Sequence, residues 1–306
     1  MIVSKIISSF CNSNRGRQSN IELLRIVAML LVLIVHIDFI SIGPPTIADC
    51  HNNVISALLR YFFQSCAIGC VDIFVLISGW FGINPSAKGF FNFIFQCLFF
   101  LIGVYAVFVI AGFKSFIISD LAAQLLFIQD YDYWFIKAFI LLYILSPVLN
   151  KFCEKTSEKE FRYVVISYYL IQSVYGWGFI AINSYAGGYS TMSFIGLYLL
   201  ARYFKLHGNK LTQQPIWIDI TIILAIVVFN TITSFGTAYI GHPLAGKICD
   251  SYISPLVIVY SLYMVILFSK LNMQSTVVNW IASSAFAVYL LHTHIYVFND
   301  FFKLCT

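Results

Sequence analysis

Hydrophobic residues occur in runs of about 20 along the whole chain, and short polar segments separate these runs. A run of this length, folded as an α-helix, crosses the ~30 Å hydrocarbon core of a bilayer. No stretch has the composition of a separate soluble domain. We therefore predict one all-α domain over residues 1–306, a polytopic transmembrane helical bundle with a cytoplasmic segment at 1–20. The predicted spans lie near residues 21–42, 54–83, 90–113, 133–149, 161–180, 191–204, 216–234, 251–268 and 280–298.

The composition also indicates a membrane protein. Of the 306 residues, 60% are hydrophobic and only 10% are charged, and the mean hydropathy is +0.86. A soluble chain of this size has far more charge on its surface. The net charge of +5 is spread over many loops without a run of five basic residues, which argues against nucleic-acid binding.

The distribution of lysine and arginine predicts the orientation of the chain. If the N-terminus is cytoplasmic, twelve of these residues fall in inner segments, three in outer segments, and Arg25, Arg60 and Lys137 within spans. An excess of basic residues in cytoplasmic loops is typical of multi-pass proteins. We therefore expect a multi-pass protein of the cell membrane (a bacterial plasma or inner membrane) with a cytoplasmic N-terminus and the lipid bilayer as its partner.

The first apolar run contains two ionisable residues, Arg25 and His36. Nine of the ten residues between them are Ile, Val, Leu or Met, and eleven helical steps at ~3.6 residues per turn place both side chains on one face, ~16 Å apart along the axis. An ionisable group at membrane depth costs about 2.5–3.5 kcal/mol and tends to mark function. His36 is therefore a candidate general base, with Asp38 nearby. Arg25 either pairs with Glu22 at a functional site or only reaches lipid phosphates at the cytoplasmic end.

Further candidate groups lie on later spans. Asp72 occurs in an apolar run and is expected to face the bundle interior, either as a functional carboxylate or as a structural one paired with a neighbouring helix. The Ser78-Gly79 pair favours close helix packing over nucleophilic catalysis. His292 and His294 are two residues apart and point to different helix faces, so we predict no metal site.

The fourth predicted span begins with aromatic residues. Tyr133 and Trp134 are interpreted as part of an aromatic belt at the membrane interface. Lys137 lies one turn further into the span, where a lone cation is unfavourable. We expect it to pair with Asp130 or Asp132.

Four collinear stretches between residues 20 and 295 resemble the membrane-bound acyltransferase 3 family, whose members transfer acyl groups onto surface sugars and other hydroxyl acceptors. Arg25 and His36 match the family's Arg-x10-His pattern in the first helix. Val71-Asp72-Ile-Phe-Val-Leu-Ile-Ser78-Gly79 looks like its Val-Asp-x-Phe-Phe-x-x-Ser-Gly stretch. The other two stretches are Tyr133-Trp134-Phe135-Ile through Ser146-Pro147, similar to a Trp-Phe-Leu…Leu-Tyr-Leu-x-x-Pro segment, and Ala285-Phe286-Ala-Val-Tyr289-Leu-Leu-His292, similar to a Ser-Phe-x-x-Tyr-Leu-x-His segment.

The resemblance implies an integral membrane O-acyltransferase that transfers acetyl from acetyl-CoA to a hydroxyl of a cell-surface polysaccharide or its lipid-linked precursor. Acetyl-CoA is then the acyl donor, and no tightly bound cofactor is expected. Because family members usually carry a further span after the Tyr-Leu-x-His segment, about nine to ten spans are expected.

The resemblance also implies roles for individual residues. The catalytic residues are expected to be His36, Arg25 and Asp72. His36 would either deprotonate the acceptor hydroxyl or carry the acyl group transiently, and Asp72 or Asp38 would orient or charge-balance it. Arg25 and Lys88 are expected to bind the donor, Lys88 being the only cation in a loop where many members carry two arginines. The residues expected to support the site are Glu22, Asp38, Ser78, Tyr133, Trp134, Lys137 and His292.

A second interpretation of these intramembrane residues is a transporter or flippase for a sugar or small anion. The arginine, histidine and aspartate would then lie along a permeation path. The sequence lacks the internal repeat and the pair of Gly/Pro-interrupted helices typical of many transporters. Labelled acetyl separates the two interpretations, because a transporter leaves no covalent label on an acceptor.

Overall fold

The computed structural model of the protein describes residues 18–127, 133–177, 185–243, 246 and 249–298. Within these ranges the chain is all-helical and contains no β-strand. In the described part of the chain, two π-helical segments, His36–Ile42 and Gln172–Trp177, directly follow the first and eighth helices. The α-helices are α1 (Ser19–Val35), α2 (Ile47–Asn52), α3 (Val54–Ala67), α4 (Cys70–Phe81), α5 (Ala87–Ile110), α6 (Ile118–Leu126), α7 (Trp134–Lys155), α8 (Glu158–Ile171), α9 (Thr191–His207), α10 (Asn209–Gln213), α11 (Ile216–Tyr239), α12 (Pro255–Ser269), α13 (Thr276–Ala282) and α14 (Ala285–His292).

Five helical segments in the described part of the chain are long and apolar enough to cross a membrane: Ser19–Ile42, Val54–Phe81, Ala87–Ile110, Trp134–Lys155 and Ile216–Tyr239. They coincide with the first four predicted spans and the seventh. The other four predicted spans fall on shorter helices, namely α8, α9, α12 and the pair α13–α14. The number of nine to ten spans therefore stays a prediction.

Two hydrogen bonds join distant segments at the ends of the bundle. At one end of the bundle, Asn20 at the start of α1 donates to the carbonyl of Phe268 at the end of α12, over 3.0 Å. At the other end, His51 of α2 lies 3.0 Å from the carbonyl oxygen of Tyr239, where α11 ends. Each contact joins segments that were predicted to lie on the same side of the membrane. Which end faces the cytoplasm stays a prediction.

Close packing around α4 forms the centre of the bundle. A Cβ at Gly79 would lie 2.6 Å from the carbonyl oxygen of Tyr198 on α9, and a Cβ at Gly69 would lie 2.4 Å from Ser261 Oγ on α12. Small residues permit this close approach of helices. Ser78 donates its hydroxyl hydrogen to a carbonyl one turn earlier on α4, over 3.1 Å. Gly79 is thus part of a packed helix contact, whereas Ser78 lines the cavity described below.

Candidate active site

A cavity of about 1890 Å³ runs along one face of α1. Five residues at spacings of three and four form this part of its wall: Glu22, Arg25, Met29, Val32 and His36. Such spacings select one face of a helix, so Arg25 and His36 lie in the wall of the same cavity. The lining continues past His36 to Asp250, at the end of the bundle that is predicted to be outside.

His36 forms a hydrogen bond with His292, with 2.9 Å between His36 Nδ1 and His292 Nε2. His292 Nδ1 in turn lies 2.6 Å from the carbonyl oxygen of Val288. A carbonyl oxygen only accepts, so His292 Nδ1 carries a hydrogen and, in the neutral ring, its Nε2 has the lone pair. His36 must then donate from Nδ1, which leaves its own lone pair on Nε2. The chain of contacts therefore sets His36 in the tautomer of a general base at Nε2.

The second histidine near the end of α14 has a different partner. His294 Nε2 lies 3.1 Å from the carbonyl oxygen of Leu101 on α5, whereas His292 contacts His36. The two side chains diverge, as their spacing predicts. Among the described residues, no group of three His, Cys, Asp or Glu side chains is placed to hold a metal ion.

The backbone changes from α-helix to π-helix at His36, and Arg60 of α3 binds the end of this segment. Arg60 Nε donates to Asp38 Oδ1 over 2.5 Å, and Arg60 Nη2 donates to the carbonyls of Asp38 and Gly43. Among the described residues Asp38 therefore pairs with Arg60, and the expectation that it orients or charge-balances His36 stays a prediction. π-Helical turns are frequent at functional sites, and this one begins at the candidate base.

Asp72 does not reach the cavity. It is 2% exposed and lies outside the lining, although Val71 and Phe74 on the same helix line the cavity. The described residues show no hydrogen bond between Asp72 and His36, and Asp72 Oδ2 is buried there without a partner. The central position of α4 buries this carboxylate in the core, and the expectation that Asp72 orients or charge-balances the histidine stays a prediction.

Arg25 belongs to the part of the cavity near the predicted cytoplasmic end. Its Nη1 donates to Glu22 Oε1 over 3.0 Å, and its remaining N–H groups have no partner in the described part of the chain. Lys88 lies at the start of α5, exposed and outside the cavity lining. The structure thus joins Arg25 to the cavity and leaves Lys88 outside it.

The residues around the start of α7 divide between core and cavity. Tyr133 is completely buried, which makes its assignment to an interfacial belt wrong, since α5 and α14 pack around it. Trp134 and Lys137 both line the cavity. The predicted partners of Lys137, Asp130 and Asp132, lie outside the described residues.

Sequence reasoning missed three residues of the outer cavity wall, Tyr189, Asp250 and Tyr252. They lie in loops, where no periodicity marks a buried face. It also missed Arg60 as the partner of Asp38. A signal for that pair was available, because both residues lie near the same end of neighbouring spans and an intramembrane charge needs a partner.

A comparison with protein-family models identifies the family of the chain. Residues 18–304 match the model of an acyltransferase domain, which corresponds to the acyltransferase 3 family. A search of curated proteins and a search of solved structures gave no match. Because the family model covers far more than half of the sequence, the chain belongs to the acyltransferase 3 family.

Proposed function

We propose that this membrane acyltransferase is an O-acetyltransferase, which transfers acetyl from acetyl-CoA to a hydroxyl of a cell-surface polysaccharide or its lipid-linked precursor. The observation that carries the proposal is the hydrogen-bond chain from His36 Nδ1 through His292 to the Val288 carbonyl. It leaves a basic nitrogen, His36 Nε2, on a residue of the cavity wall.

In the proposed step, His36 Nε2 removes the proton of the acceptor hydroxyl while that oxygen attacks the carbonyl carbon of the thioester. The carbon–sulfur bond then breaks, and the leaving thiolate takes the proton back from Nε2. The products are an O-acetyl ester and free CoA, and the histidine returns to its neutral state. His292 accepts the Nδ1–H of His36 throughout, and this contact strengthens while His36 carries the positive charge.

Arg25 is proposed to hold the donor. Acetyl-CoA carries its phosphates and its thioester at opposite ends of a flexible arm, and Arg25 and His36 lie in one cavity wall ~16 Å apart at ~1.5 Å per residue. The guanidinium has N–H groups without a partner among the described residues, and a planar fork of this kind suits phosphate oxygens. The donor would then reach from the cytoplasmic end to the base.

The test is transfer of radiolabelled acetyl from acetyl-CoA to polysaccharide in membranes that contain the full chain. We expect His36→Ala to lower the rate by about 10²–10⁴-fold, the contribution of general acid–base catalysis. The variant should still accumulate, because loss of an imidazole makes the span more apolar. The matched control is His51→Ala, since His51 contacts the Tyr239 carbonyl outside the cavity lining.

Near-normal acetylation by His36→Ala would contradict the proposed base. Incubation of the wild type without acceptor tests a further point. Label bound covalently to the protein, and lost in His36→Ala, would show that His36 carries the acetyl group instead of acting as a base.

The cavity also favours a second candidate, a transporter or flippase for a sugar or small anion. Its lining includes Arg25 near one end of the bundle and Asp250 near the other, as a permeation path requires. A transporter would move its solute into sealed vesicles without any covalent label on the acceptor. Acetylated product that depends on His36 would exclude it.

A further inference from the structure

The outer part of the cavity has a group of aromatic rings that the proposed chemistry does not use. The ring centroids of Trp134 and Tyr189 lie 4.4 Å apart, those of Tyr189 and Tyr252 5.3 Å, and those of Trp134 and Tyr252 6.3 Å. These three residues, which we call the aromatic wall, all line the cavity. Gly188 allows them to meet, because its φ is +104° and a Cβ there would lie 2.4 Å from Tyr252 Cβ.

A carboxylate, that of Asp250, precedes Tyr252 of the aromatic wall by two positions in the sequence. Asp250 lines the same cavity, and its Oδ2 accepts a hydrogen bond from Ser234 Oγ over 2.7 Å. Its Oδ1 is buried and has no hydrogen-bond partner within the described ranges. Burial raises the pKa of Asp250 to about 6, against the effect of the Ser234 hydrogen bond, so the group is still largely ionised at neutral pH. A buried carboxylate oxygen without a donor is unfavourable, and a ligand hydroxyl would supply one.

Aromatic faces beside a carboxylate are suited to a sugar ring. The C–H bonds on one side of a pyranose pack against the negatively polarised face of tryptophan or tyrosine. The hydroxyls at its edge donate to carboxylate oxygens, in hydrogen bonds strengthened by the charge. We propose that the aromatic wall and Asp250 form the acceptor subsite, and that it binds an uncharged glycosyl unit. The acceptor role rests on the proposed function, whereas sugar binding can be measured independently of it.

Ring contacts connect the aromatic wall to the base. The Trp134 ring is 6.0 Å from that of Phe135, and the Phe135 ring is 5.6 Å from that of Tyr289. Tyr289 lies 6.2 Å from His292, the hydrogen-bond partner of His36. Phe135 and Tyr289 also line the cavity. A glycan seated on the aromatic wall therefore has a continuous aromatic surface leading to His36.

Sugar binding is measured on the purified full chain in detergent by saturation-transfer difference NMR. The probes are the methyl glycosides of glucose, galactose, mannose and N-acetylglucosamine, with methyl glucuronide as the charged counterpart. We expect Asp250→Asn and Tyr252→Leu each to raise the Kd of the best neutral probe about tenfold. Two controls should leave it unchanged: Asp120→Asn, whose carboxylate pairs with Lys114 at 2.6 Å outside the cavity lining, and Tyr175→Leu, also outside it.

Equal affinity in the wild type and all four variants would overturn the subsite, as would failure of the wild type to bind any of the glycosides. Tighter binding of the glucuronide than of the neutral probes would overturn the uncharged class. Acetyl transfer to each glycoside is followed separately with radiolabelled acetyl-CoA. Binding that depends on Asp250 and Tyr252 but leads to no transfer would support the subsite and overturn the proposed function.

Discussion

The two parts of the cavity are assembled in different ways. In the inner part, Glu22, Arg25 and His36 come from one continuous apolar run, and helical spacing alone brings them to one face. In the outer part, the aromatic wall and Asp250 come from three separate segments of the chain, mostly loops. A helix carries its geometry in its local sequence, whereas a loop cluster depends on how the whole bundle packs. Variants of the two parts should therefore fail in different ways.

After His36→Ala, the largest effect should come from loss of His292, the distant residue that contacts His36. His292→Phe removes the acceptor for His36 Nδ1–H, so the histidine loses its fixed tautomer. We expect kcat for acetyl transfer to fall about 100-fold, with unchanged KM for donor and acceptor. His292→Gln keeps a side-chain acceptor and should recover much of kcat. Steady-state kinetics with radiolabelled acetyl-CoA measures both variants.

A purely structural role for His292 would give another pattern. The phenylalanine and glutamine variants would then lose activity only in proportion to the loss of folded protein, with no separate change in kcat. Size-exclusion chromatography of the detergent-solubilised variants supplies the amount of folded protein for this comparison.

Arg25→Lys tests donor binding within the inner part. A point-like ammonium cannot replace a planar fork on phosphate, so the KM for acetyl-CoA should rise about tenfold while the KM for the acceptor stays the same. Lys88→Ala is the comparison, and its effect should be small because Lys88 is exposed outside the cavity lining. A larger effect from Lys88→Ala than from Arg25→Lys would show that Lys88, and not Arg25, is the main donor-binding residue.

In the outer part, Gly188→Ala should act on the acceptor alone. The new Cβ would clash with Tyr252, and the φ of +104° is unfavourable for alanine. We expect the loop to shift and the acceptor KM to rise about threefold, with an unchanged KM for acetyl-CoA. Gly103→Ala is the matched control, because nothing lies within 4 Å of a Cβ there. An equal response of the two variants would argue against the aromatic wall.

The smallest expected effect is on stability. It is a gain, whereas the variants above lose activity. The pKa of Asp250 rises from 3.8 to about 6 in the folded chain, so between these values the folded state binds more protons and stability falls as pH rises. The loss of folding stability caused by the ionised carboxylate is complete above about pH 6 and absent below pH 3.8. Asp250→Asn should therefore raise Tm at neutral pH by about 2 °C, and not at acidic pH. A lower Tm at neutral pH would mean that the carboxylate already has a stabilising partner.

Much of the fold is predictable from sequence because it depends on local features. The spans at Ser19–Ile42 and Ala87–Ile110 follow from long apolar runs, which require no knowledge of neighbouring helices. The common face of Arg25 and His36 follows from helical periodicity. The burial of Tyr133 does not follow from periodicity, because it depends on how α5 and α14 pack around α7.

The contacts of the site are harder to predict, and the difficulty grows with the separation of the two residues in the sequence. Asp38 and Arg60 are 22 positions apart on neighbouring helices, so a search for the partner of an intramembrane charge could have found them. His36 and His292 are 256 positions apart, and no local pattern links them. Their hydrogen bond emerges only from the complete bundle.

The bond between His36 and His292 also has a consequence for the biogenesis of the protein. During synthesis, α1 enters the membrane long before α14 has been made. A nascent chain at that stage holds His36 without the residue that selects its protonated nitrogen. Under the proposed chemistry, a partly inserted chain is therefore inactive even when acetyl-CoA is abundant. The enzyme becomes active only when its last described helix, α14, packs against α1. Acetyl transfer would therefore indicate that the bundle is fully assembled.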